Sequence, residues 1–259
     1  MKGLLMYNRE DYLRNESYVK WLQDEARNFS IQLEFMLKEE FDIKGISNEK
    51  GYAFVINRTR SYELSLMFEL NNIRVFNNSM VTLLGNNKLA AYKYAKDIGY
   101  EFPKVLLNWQ EGGKIISKPN GGHGGEGIGL MEDVNLGDGN IRLQQEFLEN
   151  LKGDIRFYII NNKVIYAVLR SSGDKIVSNF SQGGSIEHYN ISSNVRKYVE
   201  DFIEGLSVDY AGIDFLLTKD DKLIFNEIED VVGSRMLSQL GINNTTELYL
   251  KHIIKEIAK

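Results

Sequence analysis

Residues 210–236, which read YAGIDFLLTKDDKLIFNEIEDVVGSRM, determine how the rest of this 259-residue sequence is interpreted. Two apolar-rich runs of strand character, residues 212–217 and 222–228, stand on either side of the polar cluster 218–221. Apolar runs separated by a short polar cluster are typical of a β-hairpin. The stretch therefore predicts two antiparallel strands joined by a tight turn.

The position of the turn predicts which side chains share a face. A turn centred between residues 220 and 221 predicts the cross-strand pairs Leu217–Ile224, Phe215–Asn226 and Asp214–Glu227. Because side chains alternate along a strand, one face is apolar apart from Asn226. Its apolar members are Ile213, Phe215, Leu217, Ile224 and Ile228. The other face carries the three carboxylates Asp214, Glu227 and Glu229.

These three carboxylates predict a metal site. Like charges on directly opposed strand residues repel, so the group needs a counterion. Mg²⁺ takes oxygen ligands, usually one or two carboxylates together with substrate phosphates, and suits such a face beneath a nucleotide. The alternative is a solvated acidic edge whose charges are separated by a different strand register.

The composition is that of an ordinary globular chain. Hydrophobic residues make up 43% and charged residues 26%, and no apolar run approaches the roughly 18 residues of a membrane span. The apolar part of the N-terminal stretch MKGLLMYNREDY is too short for a signal peptide, which favours a cytoplasmic location. A formal charge of -5 argues against general nucleic-acid binding, and the absence of cysteine excludes disulfides and thiolate metal sites.

Strands and helices alternate over roughly the first 80 residues. Strand-like runs occur at residues 3–7, 31–37, 52–56 and 73–76, and helical stretches at residues 17–29 and 62–70. This alternation predicts a small doubly wound α/β lobe. Ligands of such lobes bind beyond the carboxyl ends of strands, which makes Asn8, Arg9, Asn57, Arg58 and Arg60 candidates for substrate contact. A solvated loop explains these arginines equally well.

A glycine-rich segment, NGGHGGEGIGL at residues 120–130, follows a strand-like run that leads into Lys118 and Pro119. A backbone without Cβ atoms can approach phosphate oxygens closely and offer them its N–H groups, and the lysine adds a compact positive charge. The segment is not a Walker P-loop, because no Gly-Lys-Ser/Thr follows it. It predicts a phosphate contact, with a plain linker as the alternative.

A second hairpin is predicted by residues 154–160 and 164–170, joined across Asn161 and Asn162, which tolerate left-handed conformations. A turn centred on these asparagines puts Arg156 and Arg170 on opposite faces. Both arginines could reach one site only if a β-bulge or a strong twist changed the register.

The order of these parts resembles the ATP-grasp superfamily, most closely the RimK-like carboxylate-amine ligases. The resemblance covers roughly residues 77–233 and rests on two lysines around a glycine-rich loop, a Gln-Glu-Phe-Leu strand, Asp-Ile-Arg, and then Asp and Glu-Ile-Glu. It implies an α/β (α+β) fold class, an ATP-grasp fold with a small N-terminal Rossmann-like (pre-ATP-grasp) lobe at residues 1–80. The ATP-grasp domain is expected at residues 81–259, with the glycine-rich loop in a small lobe (81–141) and the metal site in a C-terminal lobe (142–259).

The resemblance also implies a role for each matching residue. The ATP phosphates are expected at Lys88, Lys118, Gly122, Gly124, Gly125 and Gly127. Adenine is expected at Gln145, Glu146, Phe147 and Leu148, and the ribose near Asp154. Ser178 and Asn179 match a further nucleotide-binding segment. The expected catalytic residues are Arg156, Arg170 and Lys118. Mg²⁺, with Mn²⁺ as an alternative, is expected on Asp214, Glu227 and Glu229.

Three departures from the family pattern concern the substrate and the metal. The usual arginine before Ser/Thr-Asn is Val177, the usual Asn of Glu-x-Asn is Glu229, and the Ser-Pro-Gly type segment is replaced by Val231, Val232 and Gly233. Loss of the arginine removes a phosphate or substrate contact. The additional carboxylate makes the expected metal site more negative.

The activity that the resemblance implies is an ATP-dependent ligation of a carboxylate to an amine through an acylphosphate, with release of ADP and phosphate. The expected partners are small-molecule or peptide carboxylate and amine substrates, without nucleic acid or membrane, and a homodimer is the default expectation. The alternatives are a kinase of similar fold and a nucleotide-binding protein without catalysis. Fold analogy by itself does not decide among these chemistries.

Overall fold

Three β-sheets and eight helices form the part of the chain that the structure describes. The structure is a computed structural model, and the described residues are 1–45, 51–107, 114–121, 127–130, 142–171 and 184–259. Among these residues, no helix combines the length and the apolar character needed to cross a membrane. The mixed helix and sheet architecture is the one that the sequence predicts.

Four parallel strands form the N-terminal sheet. They are β1 (Lys2–Tyr7), β2 (Gln32–Leu37), β3 (Phe54–Arg58) and β4 (Arg74–Phe76), in the spatial order β2-β1-β3-β4. The helices that connect them are α1 (Arg9–Asn28), α2 (Lys38–Lys44) and α3 (Tyr62–Leu70). Helix α1 begins earlier than predicted because Asn8 caps it, its Oδ1 accepting the backbone N–H of Asp11 at 2.7 Å.

A small antiparallel sheet follows. Its strands are β5 (Val105–Leu106), β6 (Ile115–Pro119), β7 (Gly129–Leu130) and β8 (Arg142–Glu146), in the spatial order β5-β8-β6-β7. Two helices, α4 (Ser79–Asn86) and α5 (Lys88–Asp97), precede it. Strand β6 carries Lys118 and leads into the glycine-rich segment.

The central sheet contains the two predicted hairpins side by side. Its strands are β9 (Leu151–Ile160), β10 (Lys163–Ser171), β11 (Ser185–His188), β12 (Tyr210–Thr218) and β13 (Leu223–Glu229), in the spatial order β11-β10-β9-β12-β13. Its helices are α6 (Ser193–Ile203), α7 (Arg235–Gln239) and α8 (Thr245–Ile257). Strand β11 and the short helices α2 and α7 had no strong periodic pattern in the sequence and were not predicted.

Both faces of the central sheet are covered, by different partners. Ile155, Phe157 and Ile159 on β9 pack in a core with residues of α5 and α6. The alternate residues Tyr158 and Ile160 pack in a second core with residues of α8 and of the N-terminal sheet. Asp154 and Arg156 continue this second face along the strand, so the polar site adjoins the interior that joins the lobes.

A β-bulge changes the predicted register of the β12–β13 hairpin. Asp214 lies opposite Glu227 as predicted, but the next pairs are Phe215–Phe225, Leu216–Ile224 and Leu217–Leu223. The predicted pairs of Leu217 with Ile224 and Phe215 with Asn226 are therefore wrong. The extra residue on β13 is Asn226, and the bulge brings Phe225 into the core in place of the half-buried Ile224.

A second bulge, between Val164 and Tyr166 on β10, changes the register of the β9–β10 hairpin. As a result Val168 lies opposite Arg156, and Arg170 lies opposite Asp154. Because side chains alternate, Arg156 and Arg170 then share a face. The regular hairpin, which would put these arginines on opposite faces, is therefore not formed. The alternative with a β-bulge is the one observed.

Asn77 joins the N-terminal sheet to the central sheet. This buried side chain accepts the backbone N–H groups of Asp209 at 3.0 Å and Tyr210 at 2.9 Å. Its amide donates to the carbonyl oxygens of Tyr210 at 2.7 Å and Asp230 at 3.1 Å. One side chain thus holds the start of β12 and the residue after β13.

The predicted domain boundaries at residues 80/81 and 141/142 stay predictions.

We expect Gly153→Ala to destabilise the protein by about 1–3 kcal/mol, the range for forced overpacking. A Cβ atom on Gly153 would lie 2.2 Å from the carbonyl oxygen of Arg170, which is backbone and can move only if β9 and β10 separate. Urea denaturation measures the effect. The control is Gly205→Ala, whose Cβ would meet only the Tyr94 hydroxyl at 3.8 Å. Equal losses of stability in the two variants would contradict the clash.

Candidate nucleotide and metal site

The centre of the site is Asp214, a carboxylate with no solvent exposure. Its Oδ1 and Oδ2 accept hydrogen bonds from Nε and Nη2 of Arg156 at 2.8 and 2.7 Å, a bidentate pair. Arg170 donates to Oδ2 of the same carboxylate at 2.6 Å and also to Asp154. Bidentate guanidinium–carboxylate pairs are among the strongest polar contacts in proteins. The bulge in β10 therefore completes a buried ionic network across β9, β10 and β12.

Glu229 extends this network to β13. Its carboxylate pairs with Nη1 of Arg156, which therefore bridges Glu229 and Asp214. Arg156 can lie along this path because Gly212 stands opposite Glu229 in the sheet. A Cβ atom on Gly212 would lie 3.1 Å from Cδ of Arg156 and 3.1 Å from Cγ2 of Val232. A larger residue at position 212 would have to displace the arginine.

The two inner carboxylates differ in acidity because their surroundings differ. Burial acts to raise the pKa of Asp214, but the charges of Arg156 and Arg170 outweigh it and the pKa is lowered. Burial dominates at Asp154 and raises its pKa to about 6, although Arg170 acts in the opposite direction. Asp214 is therefore the carboxylate that stays negatively charged, and Asp154 is the one that takes up a proton more easily.

Both predicted lysines reach the β13 strand at the bulge. Lys118 donates from Nζ to Oδ1 of Asn226 at 3.1 Å, and Nζ of Lys88 lies 3.8 Å from Oε2 of Glu227. Each lysine is only 8% exposed, so Lys88 is not the solvated first-turn residue that helices usually have. Burial lowers the pKa of Lys118 to about 8. The sequence analysis identified Asn226 only as the polar residue on an otherwise apolar strand face and did not predict its contact with Lys118.

The base of the glycine-rich segment is held by two polar residues that the sequence analysis did not single out. Asn120 accepts the backbone N–H of Lys88 at its carbonyl (3.1 Å) and that of Leu89 at its side chain (2.9 Å). Arg142 donates to the carbonyl oxygen of Gly127 at 2.5 Å. Gly127 has a φ of +68°, the left-handed conformation that favours glycine. Asn120 is thereby held to the start of α5, and Gly127 to β8.

The strand expected to contact adenine lies next to this base. Gln145 is buried and donates from Nε2 to the carbonyl oxygen of Pro103 at 3.1 Å. Glu146 accepts the backbone N–H of Lys104 at 2.7 Å, while Phe147 and Leu148 are half-buried. The adenine role of these residues stays a prediction, as does the ribose role of Asp154. Gly122, Gly124, Gly125, Val177, Ser178 and Asn179 lie outside the described residues.

The residues around β13 fit a hard cation through two carboxylates rather than three. Within the described ranges, no group of three or more Asp, Glu, His or Cys side chains is gathered to hold a metal. Asp214 already has both oxygens bound to arginines, whereas the side chains of Glu227 and Glu229 are 29% and 26% exposed. Two partly exposed carboxylates, each paired with one basic side chain, suit Mg²⁺ that is also bound by phosphates. Direct binding of the metal by Asp214 stays a prediction. It would require Arg156 and Arg170 to give up their hydrogen bonds to this carboxylate.

The loops after the parallel strands of the N-terminal sheet approach the site from the other lobe. Asn57 has a local structural role, since it donates to the carbonyl of Ser61 at 2.9 Å and to the hydroxyl of Ser65 at 2.8 Å. Arg58 is buried and donates to the carbonyl of Val232 at 3.2 Å, with its guanidinium 5.0 Å from the centre of the Tyr18 ring. It fixes the segment that follows Glu229.

We expect Asp214→Asn to lower the free energy of unfolding by about 3–5 kcal/mol, the range for removing one partner of a buried ion pair. The substitution keeps the size of the side chain but leaves two buried guanidinium groups without their shared anion. Chemical denaturation measures the loss. Asp221→Asn is the control, because its exposed pair with Lys152 should contribute less than about 1 kcal/mol. Similar losses in both variants would show that the network is not buried as described.

The sequence of the chain is similar to that of known proteins. Residues 126–253 match the RimK-like ATP-grasp domain. An uncharacterised protein of Mycoplasma genitalium is 26% identical over 270 residues, which cover 100% of this chain and 94% of that protein. The tetrahydromethanopterin:alpha-L-glutamate ligase of Methanocaldococcus jannaschii is 27% identical over 159 residues, 56% of this chain and 54% of the ligase.

The fold also matches solved structures. The D-alanine--D-alanine ligase of Bacillus anthracis, solved in complex with ATP, superposes with a TM-score of 0.71 at 14% identity. The match covers 100% of this chain and 97% of that ligase. The chain therefore has the fold of the ATP-grasp ligases, and the sequence of residues 126–253 is similar to the RimK-like ATP-grasp domain.

Proposed function

We propose that the protein is an ATP-dependent carboxylate-amine ligase that releases ADP and phosphate. The observation that carries the proposal is the meeting of Lys88 and Lys118, from two different elements, with Glu227 and Asn226 at the bulge of β13. Two nearly buried ammonium groups beside partly open carboxylates form a site that suits a polyphosphate and its cation. The relatives that are named as ligases support the same chemistry.

The task of these residues is mainly electrostatic. Transfer of the γ-phosphoryl group to a carboxylate develops charge on phosphate oxygens, which fixed cations stabilise without rearranging. Lys88 and Lys118 would hold the phosphates, and Arg156 and Arg170 would border the acyl-phosphate end. Glu227 and Glu229 would hold Mg²⁺, which neutralises phosphate charge when it is bound. The amine then displaces phosphate from the acylphosphate to form the amide.

An amino acid is the amine substrate that we propose. Three observations support it: one relative is named a tetrahydromethanopterin:alpha-L-glutamate ligase, others are named probable alpha-L-glutamate ligases, and the neighbour structure is a D-alanine--D-alanine ligase. The proposed acid partner is a small molecule or peptide with a free carboxylate. We further propose the domain division at residues 80/81 and 141/142, a cytoplasmic location and a homodimer.

An ADP-release screen over pairs of amino acids and carboxylates tests the activity, with mass spectrometry of the products. A condensed product formed with ADP and phosphate is the expected result. A stable phosphorylated product without any amine would indicate a kinase instead. Nucleotide binding without ADP release for any pair would indicate a binding protein and contradict the ligase.

We expect Glu227→Gln to slow turnover by about 10²–10³-fold, the typical effect of removing one preorganised charge contact. The fold should remain, because this side chain is partly exposed and its only described ion pair is the 3.8 Å contact with Lys88. Steady-state ADP release measures the rate. Glu247→Gln on α8, which is exposed and pairs with Lys251, should leave the rate unchanged. Near-normal turnover of Glu227→Gln would show that Glu227 is wrongly assigned as a metal ligand.

We expect nucleotide affinity to fall as the pH rises through about 8. Burial lowers the pKa of Lys118 to about 8, so its ammonium group, which attracts phosphates, is present below that pH and lost above it. Titration with ATP in EDTA from pH 7 to pH 9.5 measures the change without metal. Lys118→Arg should flatten the profile, since guanidinium remains charged throughout. The same slope in both proteins would assign the pH dependence to other groups.

A further inference from the structure

The bulge of β13 inserts one extra residue, Asn226, into the strand. Asp214 lies opposite Glu227 on one side of it. Phe215 lies opposite Phe225 on the other side. A regular hairpin would instead pair Asn226 with Phe215, on the apolar face of the sheet. Bulges re-aim side chains at defined points and are common beside active sites. The position of the Asn226 amide therefore follows from the bulge.

The amide of Asn226 holds the ammonium group of Lys118. Nζ of Lys118 donates to Oδ1 of Asn226 at 3.1 Å. The lysine is only 8% exposed, and its Nζ makes no other hydrogen bond and no ion pair with the residues that the structure describes. Because an ammonium only donates and the oxygen of an amide only accepts, Oδ1 is the end of the amide that faces the lysine. A single neutral acceptor therefore fixes the end of this side chain.

The two lysines of the site are held by different kinds of acceptor. Nζ of Lys88 lies 3.8 Å from Oε2 of Glu227, which is a carboxylate, whereas the acceptor of Lys118 is an amide. A carboxylate acceptor would compensate the positive charge that attracts a phosphate, and it would compete with the phosphate for the ammonium group. An amide fixes the position of the ammonium group but leaves its charge. The charge of Lys118 therefore remains able to act on a phosphate.

The position of this ammonium group needs to be fixed, because a lysine side chain is a flexible stem with a compact charge at its end. A flexible group that must be ordered when a ligand arrives weakens binding, whereas a group that is already fixed does not. Lys118 lies near the end of β6, directly before the glycine-rich segment, so the strand fixes only its backbone. The hydrogen bond to Asn226 orders the rest of the side chain.

We propose that Asn226 is a positioning residue, which holds the ammonium group of Lys118 in place for an ATP phosphate through a neutral hydrogen bond. This proposal rests on the proposed function, to which it adds a residue that is neither a metal ligand nor a nucleotide contact. It requires Asn226 to act through Lys118. The effect of Asn226 on nucleotide binding must therefore disappear when the ammonium group is absent.

A double-mutant cycle tests this dependence. ATP is titrated calorimetrically in EDTA into the whole wild-type chain, Asn226→Ala, Lys118→Met and the double variant. We expect Asn226→Ala to weaken ATP binding about tenfold when Lys118 is present, as for a hydrogen bond to a charged group, and to have no effect in the Lys118→Met background. Equal losses in the two backgrounds, or wild-type affinity in Asn226→Ala, would overturn the proposal.

Lys219→Met is the matched control for the loss of a lysine. Nζ of Lys219 donates to Oδ1 of Asn150 at 3.2 Å in an exposed position, so the variant removes an ammonium group from the same kind of contact. ATP affinity should stay unchanged. A loss of affinity in Lys219→Met as large as that in Lys118→Met would assign the effect to the net charge of the chain and overturn the proposal.

A second variant tests whether the acceptor must be neutral. Asn226→Asp keeps the shape of the side chain and an oxygen that accepts from Lys118, but it adds a negative charge. We expect ATP binding in EDTA to weaken about tenfold or more, because the ammonium group is then paired within the protein. Urea denaturation checks that the variant is folded. Wild-type or tighter affinity in folded Asn226→Asp would show that the charge of the acceptor is irrelevant and overturn the proposal.

The outcomes separate this proposal from the ligase function. Loss of ATP affinity in Asn226→Ala that depends on Lys118, without ADP release for any pair of substrates, would retain the positioning role and contradict the ligase. Ligation by Asn226→Ala with the wild-type KM for ATP would retain the ligase and overturn the positioning role. A wild-type protein that binds no ATP would overturn both.

Discussion

The structure depends on keeping one negative charge, that of Asp214, entirely out of water. A buried carboxylate costs several kcal/mol unless charged donors surround it, and here two guanidinium groups do so. Those arginines are themselves nearly buried and need anions in return, which Asp154 and Glu229 supply. The network connects four neighbouring strands and determines where the open carboxylates of β13 can lie. The arrangement of the site follows from this charge balance.

Two β-bulges shape the site. The bulge in β10 brings Arg170 to the face of Arg156, and the bulge in β13 brings Asn226 towards Lys118 while Glu227 stays opposite Asp214. A bulge re-aims side chains with little change elsewhere in a sheet, and bulges are common beside active sites. The apolar face contributes as well, because Phe225 occupies the core position that a regular hairpin would assign to Ile224. Packing on one face of the sheet thereby sets the polar geometry on the other.

The sequence predicted most of the elements and the composition of the site, because periodicity and turn residues are local signals. It indicated the pairing of Asp214 with Glu227 and the lysine beside the glycine-rich segment. It did not predict the bulge in β13, because Ile224 and Phe225 are both apolar and either register buries similar surface. It gave a bulge in β10 only as an alternative, because Val164, Ile165 and Tyr166 are all apolar. It underestimated Lys88, whose burial comes from β13 folding over the start of α5. A local pattern carries no information on such distant contacts.

The sequence by itself determined the kinds of chemistry available: oxygen donors, two lysines, two arginines and a glycine-rich backbone, in an order that resembles the ATP-grasp superfamily. The tertiary structure decided which of these groups are exposed to solvent and which are buried in ion pairs. Asp214 is enclosed by arginines, whereas Glu227 and Glu229 are partly exposed although each pairs with one basic side chain. The reason is physical: residue type sets charge and hydrogen-bonding capacity, but only packing sets solvent access and which charges meet.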